Sequence, residues 1–370
     1  MRVKDIVKLI DKWAPFATAA QWDNVGLQLG NADAAVSKVV VALDLTEEVV
    51  ATAADQGAEL IVTHHPLFFK PLNNLTTDTQ AGKLALEASR LGINVVAAHT
   101  NLDVAEGGVS FLLAERLGLV NHKVLVETFA EKLFKLAVFV PEDYQDQVRA
   151  VLGEAGAGFI GNYSHCTFNT PGIGTFKPEA GAQPFLGELD RLEQVAEVKI
   201  ETIVPQNLLS PVLNKMLEAH PYEEVAYDLF PLANKGYRLG FGRVGRLAEP
   251  VGTEEFLVKV KKSLDCGFLR IAGYLPKQIG KVAVLGGSGA DFIRQASRAG
   301  ADAYVTADLK YHQAQVAEDL GLLLVDPGHD VTEQLIVPAL TEYLQDQIKV
   351  VQGGVEVYPI VLPKPMFTVF

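Results

Sequence analysis

The feature that most constrains the fold is an alternation of short segments built around a continuous apolar run with amphipathic segments. KVVVALD (38–44), ELIVTHHP (59–66) and INVVAAHTNLD (93–103) have the composition of strands. The segments between them, 46–58 and 79–92, have helical periodicity. A strand that is apolar along its whole length must be covered on both faces, so this pattern predicts an α/β architecture.

The same alternation returns near the other end of the chain. KVAVLGGSG (281–289), ADAYVTAD (301–308) and GLLLVDPGHD (321–330) are each followed by a helical segment. The chain has 370 residues, which exceeds the length at which one hydrophobic core usually stops growing. We therefore expect two folding units, one of which contains both ends of the chain.

The middle of the chain contains two segments that echo each other. Residues 138–155 and 202–219 each predict a strand, a proline at the first turn of a helix, and an amphipathic helix. Strand-like CTFNT and the glycine-rich GIGTF lie between them, and EVAYDLFPL follows. The order β-α-β-β-α-β is that of a ferredoxin-like domain. We place this inserted domain at 126–235, within a discontinuous α/β core of 1–125 and 236–370.

Composition excludes several classes of protein. The net charge is −13 and there is no dense basic cluster, so nucleic acid is an unlikely partner. No apolar run approaches the ~20 residues that span a bilayer, and the N-terminal segment resembles a helix of the mature fold rather than a signal peptide. Two distant cysteines do not suggest disulfides or a thiolate zinc site, which favours a cytoplasmic location.

Adjacent histidines end one predicted strand. His64 and His65 precede Pro66, which disfavours the helical conformation for His65 and helps to end the strand. Both imidazoles could then face a site beyond the strand end, where open α/β sheets bind ligands. The alternative is a pair of ordinary surface or core histidines.

Carboxylates and a third imidazole follow two other strands. Asp103 is predicted at the end of the third strand, although a turn or a helix cap explains it equally well. His329 and Glu333 are four residues apart and share one face of a predicted helix, which suits metal ligation and is also common on solvated surfaces. Three imidazoles and two carboxylates exceed the needs of one tetrahedral ion and suit two divalent ions, of zinc, iron, manganese or cobalt.

Several motifs together resemble one known family. THHP, HTNLD, QWDNVGLQLG (21–30), TADLKYH (306–312) and GHDVTE (328–333) are similar to motifs of the NIF-three-like dinuclear-metal proteins, often labelled GTP cyclohydrolase type-two homologues. The resemblance covers nearly the whole chain. It implies that the metal ligands are His64, His65, Asp103, His329 and Glu333. It also implies a PII- or CutA-like insert and a toroidal homohexamer.

Further polar residues are candidates for the same site. Asp23 and Asn24 either contact substrate or form a turn, and His99 either positions a ligand or donates a proton. Lys310 is a candidate substrate contact and His312 a candidate acid or base, although a surface helix start explains both nearly as well. Asp44 and Thr46 are interpreted as caps of the helix that follows.

Two functional hypotheses follow. In the first, the protein is a metal-dependent hydrolase of a small molecule, and the resemblance implies GTP ring opening. In the second, it is a regulatory or metal-handling binding protein whose insert senses a small ligand or a partner. The glycines of GGSG (286–289) lack the spacing of a dinucleotide fingerprint and favour a structural turn.

Overall fold

A computed structural model of the chain describes residues 1–361, which form two compact units. The first, here called the core, comprises Met1–Phe129 and the chain from Leu239 onward. The second, here called the insert, is Ala130–Arg238. These divisions lie a few residues from the predicted boundaries at 126 and 235.

Strands and helices alternate in the core at both ends of the chain, as expected. Within residues 1–361, the strands of the core and the insert together are β1 (Gly26–Leu29), β2 (Lys38–Ala42), β3 (Leu60–Thr63), β4 (Asn94–Ala97), β5 (Leu119–Pro141), β6 (Thr167–Phe176), β7 (Glu193–Pro205), β8 (Tyr227–Gly252), β9 (Arg270–Gly273), β10 (Gln278–Val284), β11 (Ala303–Val305), β12 (Leu323–Asp326) and β13 (Glu356–Ile360). The α-helices are α1 (Val3–Trp13), α2 (Glu47–Asp55), α3 (Gln80–Arg90), α4 (Thr100–Val104), α5 (Val109–Arg116), α6 (Gln145–Glu154), α7 (Leu209–Ala219), α8 (Thr253–Ser263), α9 (Ile293–Arg298), α10 (Tyr311–Asp319), α11 (His329–Glu333) and α12 (Ile336–Val350).

The first sheet of the core has the order β1-β4-β3-β2-β13. β1 is antiparallel to β4, and the other neighbours are parallel. Successive side chains alternate between the two faces, so Val39 and Val41 pack with α1 and α12 whereas Val40 packs with α2 and α3. Both faces are thus buried, which is why the strands are apolar throughout.

The second sheet of the core is built in the same way. β10, β11 and β12 are parallel, and β8 and β9 flank them in antiparallel orientation. Val282 and Val284 pack against α8, while Ala283 lies on the opposite face with α9 and α10. The prediction of an α/β core is therefore confirmed. No helix within residues 1–361 is both long enough and apolar enough to cross a membrane.

The insert has the predicted β-α-β-β-α-β order, in which α6 and α7 cover one face of the sheet β6-β7-β5. One detail of the prediction is wrong. Pro141 and Pro205 end strands, and each is followed by a turn of 3₁₀-helix before the α-helix begins. Their backbones are extended, with ψ of 138° and 145°, so they do not occupy the first helical turn.

Candidate metal centre

The core brings together the five side chains predicted to bind metal. Their ligand atoms form two overlapping groups, and within each group the atoms all lie within 4.8 Å of one another. One group is His64, Asp103 and Glu333, and the other is His65, His329 and Glu333. Either group could hold a metal ion.

The two adjacent histidines come directly after β3. Their backbone N–H groups still bond to the neighbouring chain, His64 to the Ala42 carbonyl at 3.2 Å and His65 to the Leu43 carbonyl at 3.0 Å. The hydroxyl of Thr63 donates to the His65 carbonyl at 2.7 Å, which fixes the turn before Pro66. Their ring centroids are 5.1 Å apart, so the two rings contribute to the same cluster of side chains, as predicted.

Asp103 reaches the site from a helix, whereas the sequence predicted that it would end a strand. β4 ends at Ala97, and α4 begins at Thr100. The N–H groups of Leu102 and Asp103 donate to the His99 carbonyl at 2.8 and 3.0 Å, so the chain has already left the sheet. The apolar run itself ends at Ala98, one residue after the strand, and the mainly polar segment that follows belongs to the turn and to α4.

His329 and Glu333 are the first and last residues of α11 and share one face of it, as predicted. His329 Nε2 lies 3.0 Å from Glu333 Oε2. The same oxygen is 3.0 Å from His65 Nε2, and the other oxygen, Oε1, is 3.9 Å from His64 Nε2. The Glu333 carboxylate therefore lies between the two groups of ligand atoms.

Each histidine in these groups is held through its other ring nitrogen. Nδ1 lies 2.9 Å from the Ala98 carbonyl in His64, 2.8 Å from Asp44 in His65 and 2.7 Å from Asp308 in His329. These acceptors favour the tautomer with the proton on Nδ1, which leaves Nε2 to bind metal.

The role of Asp44 corrects the sequence interpretation. Thr46 alone caps α2, accepting a hydrogen bond from the Val49 N–H, whereas Asp44 orients His65. Asp308, one of the polar residues predicted to follow a strand end near the site, orients His329 in the same way. The sequence could have indicated that Asp44 and Asp308 hold histidines, because both aspartates closely follow strands in an α/β domain whose neighbouring strands end in histidines.

Burial and charge perturb the groups of the site strongly. Burial and the charge of Glu333 raise the pKa of Asp103 well above its ordinary value. Burial alone would lower the pKa of His65, but Asp44 and Glu333 raise it to about 10. Glu333 and Asp308 likewise outweigh burial at His329 and raise its pKa to about 9. Without a cation, the site thus places two buried carboxylates in mutual repulsion and favours protonation of His65 and His329, whereas burial lowers the pKa of His64.

The residues present fit a divalent metal. His64 Nε2 and Asp103 Oδ1 are buried, 3.5 Å apart, and neither has a hydrogen-bond partner among the described residues. Buried polar atoms without partners are costly, and a cation between a lone pair and a carboxylate would satisfy both. Mixed nitrogen and oxygen ligation is typical of zinc, iron and manganese.

Asp23 and His99 form a buried pair beside the ligands. His99 Nδ1 lies 2.9 Å from Asp23 Oδ1, and Thr100 donates to the other oxygen through its N–H at 3.0 Å and through its hydroxyl. Burial would raise the pKa of Asp23, but these bonds outweigh it and lower the pKa to about 2. A ring nitrogen of His99 lies within 4.8 Å of ring nitrogens of His64 and His65.

The remaining predicted residues have other described contacts. The Asn24 side chain donates to the Phe68 carbonyl at 2.7 Å and to Gln28 at 3.1 Å, so it anchors the loop after the histidines. Lys310 and His312 are exposed at the start of α10, and His312 Nδ1 lies 2.9 Å from Gln315. Neither belongs to the ligand groups.

Two exposed aromatic side chains that sequence reasoning did not single out flank His99. Trp22 is 65% exposed and Phe69 is 53% exposed. Their ring centroids lie 6.0 and 5.7 Å from that of His99. Large apolar side chains exposed beside a polar cluster mark a surface that binds a ligand or a partner. Both occur in segments already noted for other reasons, QWDN and HHPLFF.

Comparisons of the sequence and of the fold with known proteins point to one family. The family model described as Duf34/NIF3 (NGG1p interacting factor 3) matches residues 1–365. A Halalkalibacterium halodurans protein named GTP cyclohydrolase 1 type 2 homolog is 47% identical, over 93% of this chain and 92% of that protein. A protein of the same name from Bacillus subtilis is 45% identical, over 96% and 95%. The crystal structure of a Bacillus cereus protein related to NIF3 superposes with a TM-score of 0.92 at 45% identity, covering 100% of this chain and 99% of the other.

Proposed function

Because the chain belongs to the Duf34/NIF3 family, as its motifs predicted, we propose that it binds two divalent metal ions and acts as a metal-dependent hydrolase of a small molecule. The observation that supports this most strongly is the position of Glu333. Its two carboxylate oxygens face different imidazoles, as a carboxylate shared by two ions would.

The proposal assigns ligands to each ion. His64 and Asp103 would bind one, His65 and His329 the other, and Glu333 both. Zinc, iron and manganese all suit this ligand set. When bound, two adjacent cations would lower the pKa of a water molecule, so that it could act as the nucleophile, and would polarise the bond that is attacked.

His99 is the residue best placed to carry a proton. Asp23 accepts a hydrogen bond from Nδ1 and fixes the orientation of the ring, so Nε2 is the nitrogen left to exchange a proton with substrate or water. Asp23 thereby acts as a positioning residue. His312, predicted as an acid or base, stays a candidate whose role must be tested separately.

The aromatic rings beside the site indicate which class of substrate could bind there. Trp22 and Phe69 offer exposed faces against which a planar ring could stack, which suits a purine or another cyclic substrate. The relatives' names make GTP a candidate, and a cyclic amide or a phosphoester would suit the same chemistry. The toroidal homohexamer implied by the resemblance stays a prediction.

The test is a turnover screen on protein loaded with zinc, iron or manganese. GTP, cyclic amides and phosphoesters should be offered to the wild type and to His64→Ala, Asp103→Ala and His99→Gln variants. We expect turnover of at least one substrate, abolished with the metal in the two ligand variants. In His99→Gln we expect normal metal content and a loss of turnover on the order of 10²-fold.

His312→Ala supplies a matched comparison, since His312 is exposed and outside the ligand groups. If it acts in catalysis, its loss will lower turnover without altering metal content. A wild-type protein that takes up no metal would contradict the whole proposal. Metal uptake without any substrate being turned over would contradict hydrolysis alone and leave a metal-binding protein.

A further inference from the structure

A second candidate site lies in the insert, on the face of its sheet that the helices leave uncovered. There the structure forms a pocket of about 320 Å³, within the usual size range for small-molecule sites. Its floor comes from alternate positions of the strands, including Phe139, Phe176 and Glu197. Its walls come from the loop between β6 and β7 and from the segment after α7.

Two motifs that the metal site does not use meet in this pocket. Gly174 belongs to GIGTF, and Tyr222 belongs to the segment HPYEE (220–224). The Tyr222 hydroxyl donates to Glu197 Oε1 at 2.9 Å. A Cβ on residue 174 would lie only 2.1 Å from Glu197 Oε2, so only glycine leaves room for this carboxylate. Both motifs therefore serve to place Glu197.

The histidine of the second motif holds this wall in position. His220 Nε2 lies 2.9 Å from the Phe139 carbonyl, and its Nδ1 accepts a hydrogen bond from the Tyr222 N–H at 3.1 Å. Burial lowers the pKa of His220, which favours the neutral ring that these two bonds require. Glu223 extends the wall by accepting a bond from the Gln183 N–H at 2.8 Å.

The lining is aromatic and acidic. The Tyr222 ring centroid lies 5.9 Å from that of Phe176 and 6.4 Å from that of Phe185. Glu197, Glu223 and Glu224 also line the pocket, and none of its described lining residues is a lysine or an arginine. The nearby Lys177 pairs with Asp190 at 3.2 Å. Aromatic faces with an adjacent carboxylate are how proteins recognise organic ammonium groups.

We infer that this pocket binds a small organic cation whose ammonium group lies among the rings of Phe176, Phe185 and Tyr222 and faces the Glu197 carboxylate. Charge complementarity selects this class of ligand, because an anion of similar size would face three carboxylates. The inference concerns the insert alone and does not rest on the proposed hydrolase activity.

The test is isothermal titration of the full-length, metal-loaded protein with benzyltrimethylammonium and, separately, with phenylacetate. We expect the cation to bind and the anion not to bind. Glu197→Gln preserves the size of the side chain and removes its charge, so we expect affinity for the cation to fall about tenfold or more. Glu218→Gln, an exposed change on α7 outside the pocket, should leave affinity unchanged.

Two variants at Tyr222 distinguish the contribution of the aromatic ring to affinity from that of its hydroxyl. Tyr222→Phe keeps the aromatic face and loses only the hydroxyl bond to Glu197, so affinity should fall slightly, whereas Tyr222→Leu should lower it at least as much as Glu197→Gln. His329→Ala should bind the probe normally, which distinguishes this pocket from the metal centre. Equal binding of phenylacetate, no binding of the cation by the wild type, or an unchanged affinity in Glu197→Gln would each overturn the inference.

Discussion

The candidate metal centre contains a few side chains that are held in place through atoms facing away from it. His65 and His329 each have a carboxylate on Nδ1, and His99 has Asp23. Such bonds fix ring orientation and tautomer before any ligand arrives. Substituting one of the aspartates should therefore alter the site without removing a ligand.

Asp23 allows a test at the scale of one residue. Its pKa is lowered to about 2, below its ordinary 3.8, so its contribution to the free energy of unfolding is complete above pH 3.8 and is lost as pH falls through 2. We expect metal-free Asp23→Asn to be less stable than the wild type by about 1–2 kcal/mol at pH 6, allowing for solvent screening.

Urea unfolding of both metal-free proteins between pH 7 and pH 2.5 measures this effect. The difference between them should narrow steadily below pH 4, because the wild type loses the interaction that the variant already lacks. A difference that stays constant over the whole range would show that packing, and not the charge of Asp23, determines the effect.

The sequence predicted the five side chains that converge in the core, because imidazoles and carboxylates after apolar strands carry a clear chemical signal. It placed Asp103 at a strand end and Asp44 at a helix cap, and both placements are wrong. A carboxylate that caps a helix and one that orients an imidazole occupy the same kind of position in sequence. The two roles are distinguished only in the folded structure, where Asp44 lies 2.8 Å from Nδ1 of His65, a residue 21 positions later in the chain.

At the scale of elements, the loop after β10 supports α11. The Gly287 N–H donates to the Thr332 hydroxyl at 2.8 Å, and the Gly289 N–H donates to that of Thr306 at 3.0 Å. These bonds agree with the interpretation of GGSG as a structural turn. Gly287 has a φ of +66°, and a Cβ there would lie 2.0 Å from Glu333 Oε1. Glycine is therefore required for Glu333 to occupy its position.

Gly287→Ala should consequently displace Glu333 and reduce metal content. Gly321→Ala is the matched control, because its φ is +67° but a Cβ there would meet nothing within 4 Å. Both variants should lose about 1 kcal/mol from the strained backbone, and only Gly287→Ala should also lose metal. Elemental analysis and thermal unfolding measure both quantities, and full metal content in Gly287→Ala would show that the loop does not determine the position of Glu333.

At the scale of the molecule, the proposed metal ligands come from segments on both sides of the insert. His64, His65 and Asp103 precede it, and His329 and Glu333 follow it. The α/β class and the β-α-β-β-α-β insert were predictable, because periodicity and internal repetition are local properties of the sequence. The strand order was not, since the antiparallel pairing of β1 with β4 and of β9 with β12 depends on long-range packing.

This arrangement predicts that metal stabilises the core as a whole. Bound ions would join the first sheet to α11 and neutralise the repulsion between Asp103 and Glu333. A ligand that binds only the folded state stabilises that state by mass action. Removing the metal with a chelator should lower the midpoint of thermal unfolding of the core by about 5–10 °C. Glu333→Gln should show little further change with chelator, because it has already lost the shared ligand. If the chelator lowered the midpoints of both proteins equally, the stabilising ions would lie elsewhere, and the five side chains of the core would need another explanation for their convergence.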